Sequence, residues 1–179
     1  MTGKHALFAF AAAALLAGWA ATAPAETIEG AKPIQIALWN PAQIFNERTP
    51  IHGVRLNILY GKNTDVRGLD LGLANHCTGN TVGLQYGLVG IAEGSFRGWQ
   101  DNAFNFAGDM KGVQTGFYNG AKVAEGFLWG AVNVTDDMHG VQLGFFNLTE
   151  TLYGIQIGII NVVKRKETLP VFPIVNWSF

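Results

Sequence analysis

From Gly53 onward, apolar residues alternate with small or polar ones in short bursts that recur at a fixed interval. A glycine opens each burst at 53, 68, 83, 98, 112, 126, 140 and 154, so the steps are 15 residues three times and then 14 four times. The clearest copies begin at Gly112, Gly140 and Gly154 and read GVQTGFYN, GVQLGFFN and GIQIGIIN, a pattern of G-Φ-Q-x-G-Φ-Φ-N. Alternation with a period of two predicts a strand with one apolar face and one small or polar face. Position 8 holds Asn75, Asn105, Asn119, Asn133, Asn147 and Asn161, with Tyr60 and Gly90 as exceptions. Asparagine suits a turn there, because it tolerates the left-handed region and bonds nearby backbone. Position 3 is Gln85, Gln100, Gln114, Gln142 and Gln156, with Arg55, Asp70 and Leu128 elsewhere.

Two degenerate copies extend the series, one at 33–40 (PIQIALWN) and one at 169–176 (LPVFPIVN), for ten units in all. Terminal units that deviate most are what a repeat array places at its ends as caps. A large apolar residue also recurs two places before the next glycine, at Val66, Phe96, Met110, Met138 and Leu152, which predicts a second, shorter inward strand. Hydrophobicity places positions 2, 4 and 6 inside, so Val141, Leu143, Phe145, Ile155, Ile157 and Ile159 are expected to be buried. Position 7, with Trp39, Phe104, Tyr118, Phe146 and Ile160, then shares the Gln face. It either tucks into the corner beside Asn or forms an exposed apolar stripe for self-association or a partner.

This pattern predicts an all-β chain, a β-solenoid or β-roll in which each 14–15-residue unit is one coil. Equal spacing would stack the position 8 asparagines into a ladder. The alternative is a small outer-membrane antiparallel barrel, which the terminal Val175-Asn176-Trp177-Ser178-Phe179 resembles in its alternation and final Phe; a third is another β sandwich. A membrane-spanning strand needs roughly 9–11 residues and an apolar band about 25 Å tall. Three outward residues cover only on the order of 10 Å. Pro170 and Pro173 would also remove two donors from the strand closing a barrel, whereas on an end cap they guard an edge.

The N-terminus changes the compartment. Lys4 and His5 precede an apolar run from Ala6 to Ala21, followed by Ala23-Pro24-Ala25. This is the pattern of a secretory signal peptide spanning 1–25, cleaved after Ala25 to leave one repeat-built domain at 26–179. The expected location is therefore exported: periplasm, outer membrane or cell surface. The remaining chain has eleven basic against thirteen acidic side chains, a net charge of −2. That gives no electrostatic footprint for nucleic acid and no run of basic residues for anionic lipid. Cys77 alone precludes an internal disulfide and reads as a small buried residue.

The repeated G-[VLI]-Q-x-G-[LF]-x-N unit, closing on FPIVNWSF, resembles a family of bacterial surface-repeat proteins first labelled in spirochaetes and met in other Gram-negative bacteria. The likeness covers about residues 33–179 and carries no activity or binding residues with it. The copy at 98–105 departs from it by placing Asp101 where an apolar residue belongs.

Chemistry-bearing residues are sparse. His52 and His139 lie six repeats apart, and His76-Cys77 lacks a third ligand or base at a stacked position. Asp109 and Asp136-Asp137 fall in turns without the calcium-roll nonapeptide. Thr135 and Thr149 make too short a row for ice binding, and no P-loop, dinucleotide fingerprint or G-x-S-x-G occurs. No catalytic, cofactor-binding or metal-ligating residues are assigned, and no cofactor is expected. The expected function is a non-enzymatic structural or interaction module of the cell envelope, whose partner is itself or another envelope protein. Membrane association is allowed by the sequence but not required. The alternatives are a small barrel with an adhesion or assembly role and, more distantly, a carbohydrate-binding or carbohydrate-acting protein using Trp99 and Trp129.

Overall fold

A computed structural model describes residues 30–179; the expected signal segment lies outside the described residues. The strands are β1 (Lys32–Trp39), β2 (Ala42–Gln43), β3 (Ile51–Asn63), β4 (Val66–Cys77), β5 (Thr81–Leu143), β6 (Phe146–Val163) and β7 (Val171–Ser178). β1, β3, β4, β5 and β6 pair in parallel in that order, with β5 winding continuously through several coils. Like stacks on like: Gly53 pairs with Gly68, Gly68 with Gly83, Asn133 with Asn147, and Gln142 with Gln156. The fold is a β-solenoid of about eight turns, not a barrel.

The ends differ from the ten coils the repeat count predicts. β1 is a true parallel rung, but β2 folds back antiparallel on it. The last unit is no coil at all, since β7 runs antiparallel to β6. Its reversal is bought with positive φ at Leu169 (53°) and at β-branched Ile174 (71°), where a bulge interrupts the register.

The larger correction concerns which face is inside. Gln35, Gln85, Gln100, Gln114, Gln142 and Gln156 are fully buried, as are Asn105, Asn119, Asn133, Asn147 and Asn161. The residues expected in the core point outward: Phe145 is 66% exposed, Ile159 65% and Ile157 39%, while Val141, Leu143 and Ile155 are only half-buried. The solenoid is right and its faces are inverted. Period-two alternation states which residues share a face, and only stacking decides which face is enclosed. Each coil is too narrow for two layers of side chains. Gln100 and Gln156 reach across it to the carbonyls of Phe106 (3.4 Å) and Val162 (3.3 Å). In that slot an amide finds a partner on the next coil, so a polar interior leaves few bonds unmet. Most of the apolar interior comes from the short return strand, where Val66, Phe96, Met110, Met138 and Leu152 are buried as their spacing predicts, and Leu128 of the Gln column packs against it.

Both glycines of the repeat follow from this packing. Position 1 has φ between 120° and 150° in all eight copies, and a Cβ on Gly140 would lie 2.1 Å from the Gly126 carbonyl oxygen. Position 5 points inward where the Asn amide of the preceding coil lies; a Cβ on Gly144 would meet Asn133 Nδ2 at 2.7 Å.

Candidate functional site

Because Gln and Asn are enclosed, positions 2, 4 and 6 form an outer sheet face across nine parallel rungs from β1 to the coil of Gly154. Ile36, Leu56, Leu71, Tyr86, Asp101, Thr115, Trp129, Leu143 and Ile157 make its central column. Strands stacked about 4.8 Å apart give the face a length of about 40 Å, and the short width of each strand gives it roughly 600–800 Å². That exceeds the apolar patches usual on a monomer's surface. β7 prolongs it, pairing Trp177 with Ile155 and Val175 with Ile157. All four tryptophans among the described residues lie on this face or its edge, each about half exposed: Trp39 (48%), Trp99 (46%), Trp129 (59%) and Trp177 (54%).

Position 7 is not enclosed with the Gln column, where the alternation places it. Trp39, Phe104 and Ile160 are exposed there, while Tyr118 and Phe146 are half-buried. Phe104 packs edge-on against Phe117 at 6.2 Å, joining positions 6 and 7. Toward the C-terminal end the face is concave, a trough of about 820 Å³. Phe117, Trp129, Phe145, Ile159 and Ile174 wall it, and the glycines of position 5 floor it.

One polar notch interrupts the face. Trp99 Nε1 donates to Thr115 Oγ1 at 2.9 Å, and that hydroxyl donates to Asp101 Oδ1 at 2.5 Å. The departure at Asp101 is thus a polar chain of three residues across two coils at mid-face, with its donors already committed.

Beneath the face run two amide ladders. Asn105, Asn119, Asn133, Asn147 and Asn161 are linked Nδ2 to Oδ1 by four bonds of 2.8 Å, each donating toward the C-terminus. Asn75 stands outside this chain and bonds Asn57 and the Tyr86 carbonyl instead. The Gln ladder donates the other way, Gln114 to Gln100 to Gln85, and ends on the Asp70 carboxylate. There Arg55, itself fully buried, grips Asp70 with two bonds of 2.7 Å. Sequence reading passed over this pair as two exceptions at position 3; their opposite charges on successive repeats were the signal.

A second cluster joins three coils on the return side. Tyr60 Oη lies 2.8 Å from His76 Nδ1, and His76 Nε2 lies 2.6 Å from Glu93 Oε1. Neither contact is legible from the repeat: a bulge between Asn57 and Tyr60 shifts the register on the Tyr60 side, and Glu93 lies two residues past Ile91, the residue paired with His76. Burial pushes the Tyr60 phenol up to about 12, with Glu47 adding to the shift. Burial also lowers the His76 imidazole, against the pull of Glu93. Neighbouring Cys77 is buried, its thiol donating to the Thr64 carbonyl at 3.0 Å and pushed up by burial. Tyr60, His76 and Glu93 thus form a clasp across three coils, beside a Cys77 thiol whose ionisation burial disfavours. Among the described residues no three His, Cys, Asp or Glu side chains converge to hold a metal.

Fold and surface together define a β-solenoid with a polar amide core and an apolar, tryptophan-bearing outer sheet. Neither protein-family models nor curated proteins nor solved structures include a match to this chain.

Proposed function

We propose that this chain is a non-enzymatic scaffold of the bacterial cell envelope, whose repeats hold a rigid apolar sheet as a docking surface. The observation that carries the reading is the inverted packing. Burying polar residues while exposing Phe117, Phe145, Ile159 and Trp129 leaves a large hydrophobic driving force unspent in the monomer. Ladders beneath the sheet fix its strands in register, so the surface is formed before anything docks. The export signal read from residues 1–25 and the resemblance to surface-repeat proteins support placing it in the envelope.

Serine at Phe117, Phe145 and Ile159 together tests it, since each is more than 60% exposed and contributes little to the interior. The parent chain is expected to bind an apolar dye strongly and to associate or adsorb in detergent-free buffer. The triple variant should keep its β circular dichroism and lose both behaviours. Dye binding and association unchanged by the three serines would refute a docking role for this face.

A further inference from the structure

Resting on the docking reading, we infer that the trough in the apolar face seats a single unbranched alkyl chain ending in an amine. Its tail lies along the solenoid axis toward β7, and its ammonium sits at Asp101.

The shape admits one chain. The trough runs across the strands between two columns of side chains, position 4 with Trp129 and Leu143 and position 6 with Phe117 and Phe145. Two residues along a strand set those columns about 7 Å apart. Carbons lying between them meet both walls at about 3.5–4 Å, the separation of best dispersion contact. Ala131 keeps the position 6 wall open between Phe117 and Phe145, and the position 5 glycines keep the floor bare. From the rung of Thr115 to β7 the trough passes four strand spacings, about 19 Å. Ile174, paired with Gly158, closes its far end.

The chemistry of the floor selects hydrocarbon over peptide. Gly144 N–H donates to the Ile157 carbonyl and Phe145 N–H to the Ala131 carbonyl, both at 3.0 Å. The buried asparagines take the carbonyls of Thr115, Leu143 and Ile157 from within. No lining residue carries a charge. A peptide laid along this bed would lose water from its amides and gain no partner, a loss that an alkyl chain does not suffer.

The two ends of the trough differ, and that difference sets the head group. Ile174 makes the C-terminal end apolar, whereas Thr115 at the other end donates to Asp101 on the preceding rung. Asp101 is the one charged side chain at positions 2, 4 and 6 of the nine rungs. Trp99 and Thr115 spend their donors within the notch. A carboxylate offers about four acceptor sites, of which Thr115 fills one. An ammonium there gains charge-assisted hydrogen bonds, while an anionic head meets like charge. The mutually paired Lys111 and Glu125 stand before their opening glycines, outside the trough.

Calorimetric titration of the full chain with dodecylamine and with dodecanoate, each below its micellar concentration, tests the site. Dodecylamine should bind one per chain, with dodecanoate and the shorter hexylamine at least about tenfold weaker. Asp101→Asn keeps an acceptor for Thr115 and should abolish the preference for the amine. Asp136→Asn, an equal change of charge outside the face, should leave that preference intact. Ala131→Leu fills the gap between Phe117 and Phe145 and should weaken the amine at least about tenfold, with β circular dichroism unchanged. Trp129→Ala strips the opposite wall and carries the same expectation should Ala131→Leu fail to fold. Dodecanoate as tight as dodecylamine, or a preference that survives Asp101→Asn, overturns the proposal. So does amine binding indifferent to both wall variants. If no amine binds while serines at Phe117, Phe145 and Ile159 still abolish dye binding, the alkyl site falls and the docking surface stands. Serines that change neither dye binding nor association take both readings down.

Discussion

The coils opened by Gly53, Gly68 and Gly83 are 15 residues long, those from Gly98 to Gly140 are 14, and the two stretches solve one packing problem differently. In the C-terminal stretch, one Asn per coil donates to the next, and the chain from Asn105 to Asn161 is unbroken. In the N-terminal stretch, Gly61 and Gly90 stand in register with Asn75 and supply no amide. The missing amides come from position 5. Asn57 fills the space at Gly61, where a Cβ would meet its Oδ1 at 1.7 Å, and Asn102 fills that at Gly90, where a Cβ would meet its Nδ2 at 2.3 Å. The Gln column there gives way to Arg55 and Asp70. What both stretches share is a slot one side chain wide, filled mostly by polar side chains bonded from coil to coil. Which residue supplies them is free.

Four experiments press on that comparison, in descending order of effect. Asp70→Asn should be the most damaging, because it leaves the Arg55 guanidinium buried without its carboxylate. Removing one partner of such a pair costs about 3–5 kcal/mol, which chemical denaturation of purified variant and parent will measure. A loss under about 1 kcal/mol would mean that the uncharged Asn63 and His76 oxygens suffice to solvate the buried Arg55 guanidinium.

In the regular stretch, Asn133→Leu orphans Asn119 Nδ2 and Asn147 Oδ1, each at about 1–3 kcal/mol. Asn161→Leu should cost clearly less, since it strands only one ladder partner, Asn147 Nδ2, which also bonds the Ile157 carbonyl. Equal losses at the two sites would show that the ladder does not act bond by bond.

Leu128 breaks the Gln column of this otherwise uniform stretch and leaves the buried Gln114 Oε1 without a partner. Leu128→Gln would donate to that oxygen and give Gln142 an acceptor besides Thr135 Oγ1. It would also remove Leu128 from its cluster with Met110, Ala124 and Met138. The two effects oppose, and the expected net change is within about 1 kcal/mol. A much larger loss would make the apolar cluster, rather than the amide column, the requirement at that coil.

The smallest effect is confined to the N-terminal stretch. His76 has its folded pKa lowered by burial, so as pH falls the unfolded chain takes up the proton first. Its share of stability is complete above about pH 6.5, the unperturbed value for His, and drains away as pH drops through the folded value. Melting temperatures between pH 7.5 and 5 should therefore fall less steeply in His76→Gln than in the parent. Parallel slopes would assign the acid sensitivity of this region to other groups.

The sequence alone determined the strands, their interval and the coil, because a 14–15-residue period with glycine and asparagine at fixed places leaves equal stacking as the one arrangement that pairs like with like. It also marked the return-strand residues of the core, whose large side chains recur at one spacing. Three things were decided only by the tertiary structure. Alternation divides a strand into two faces without a sign, and the narrowness of the coil, not hydrophobicity, set that sign by admitting one layer of linked amides. The last repeat reversed into an antiparallel cap because an end has no next coil to pair with. The salt bridge at Arg55–Asp70 and the Tyr60–His76–Glu93 clasp join residues whole coils apart in sequence. Coiling sets such residues one strand spacing apart, and with them the surface on which function rests.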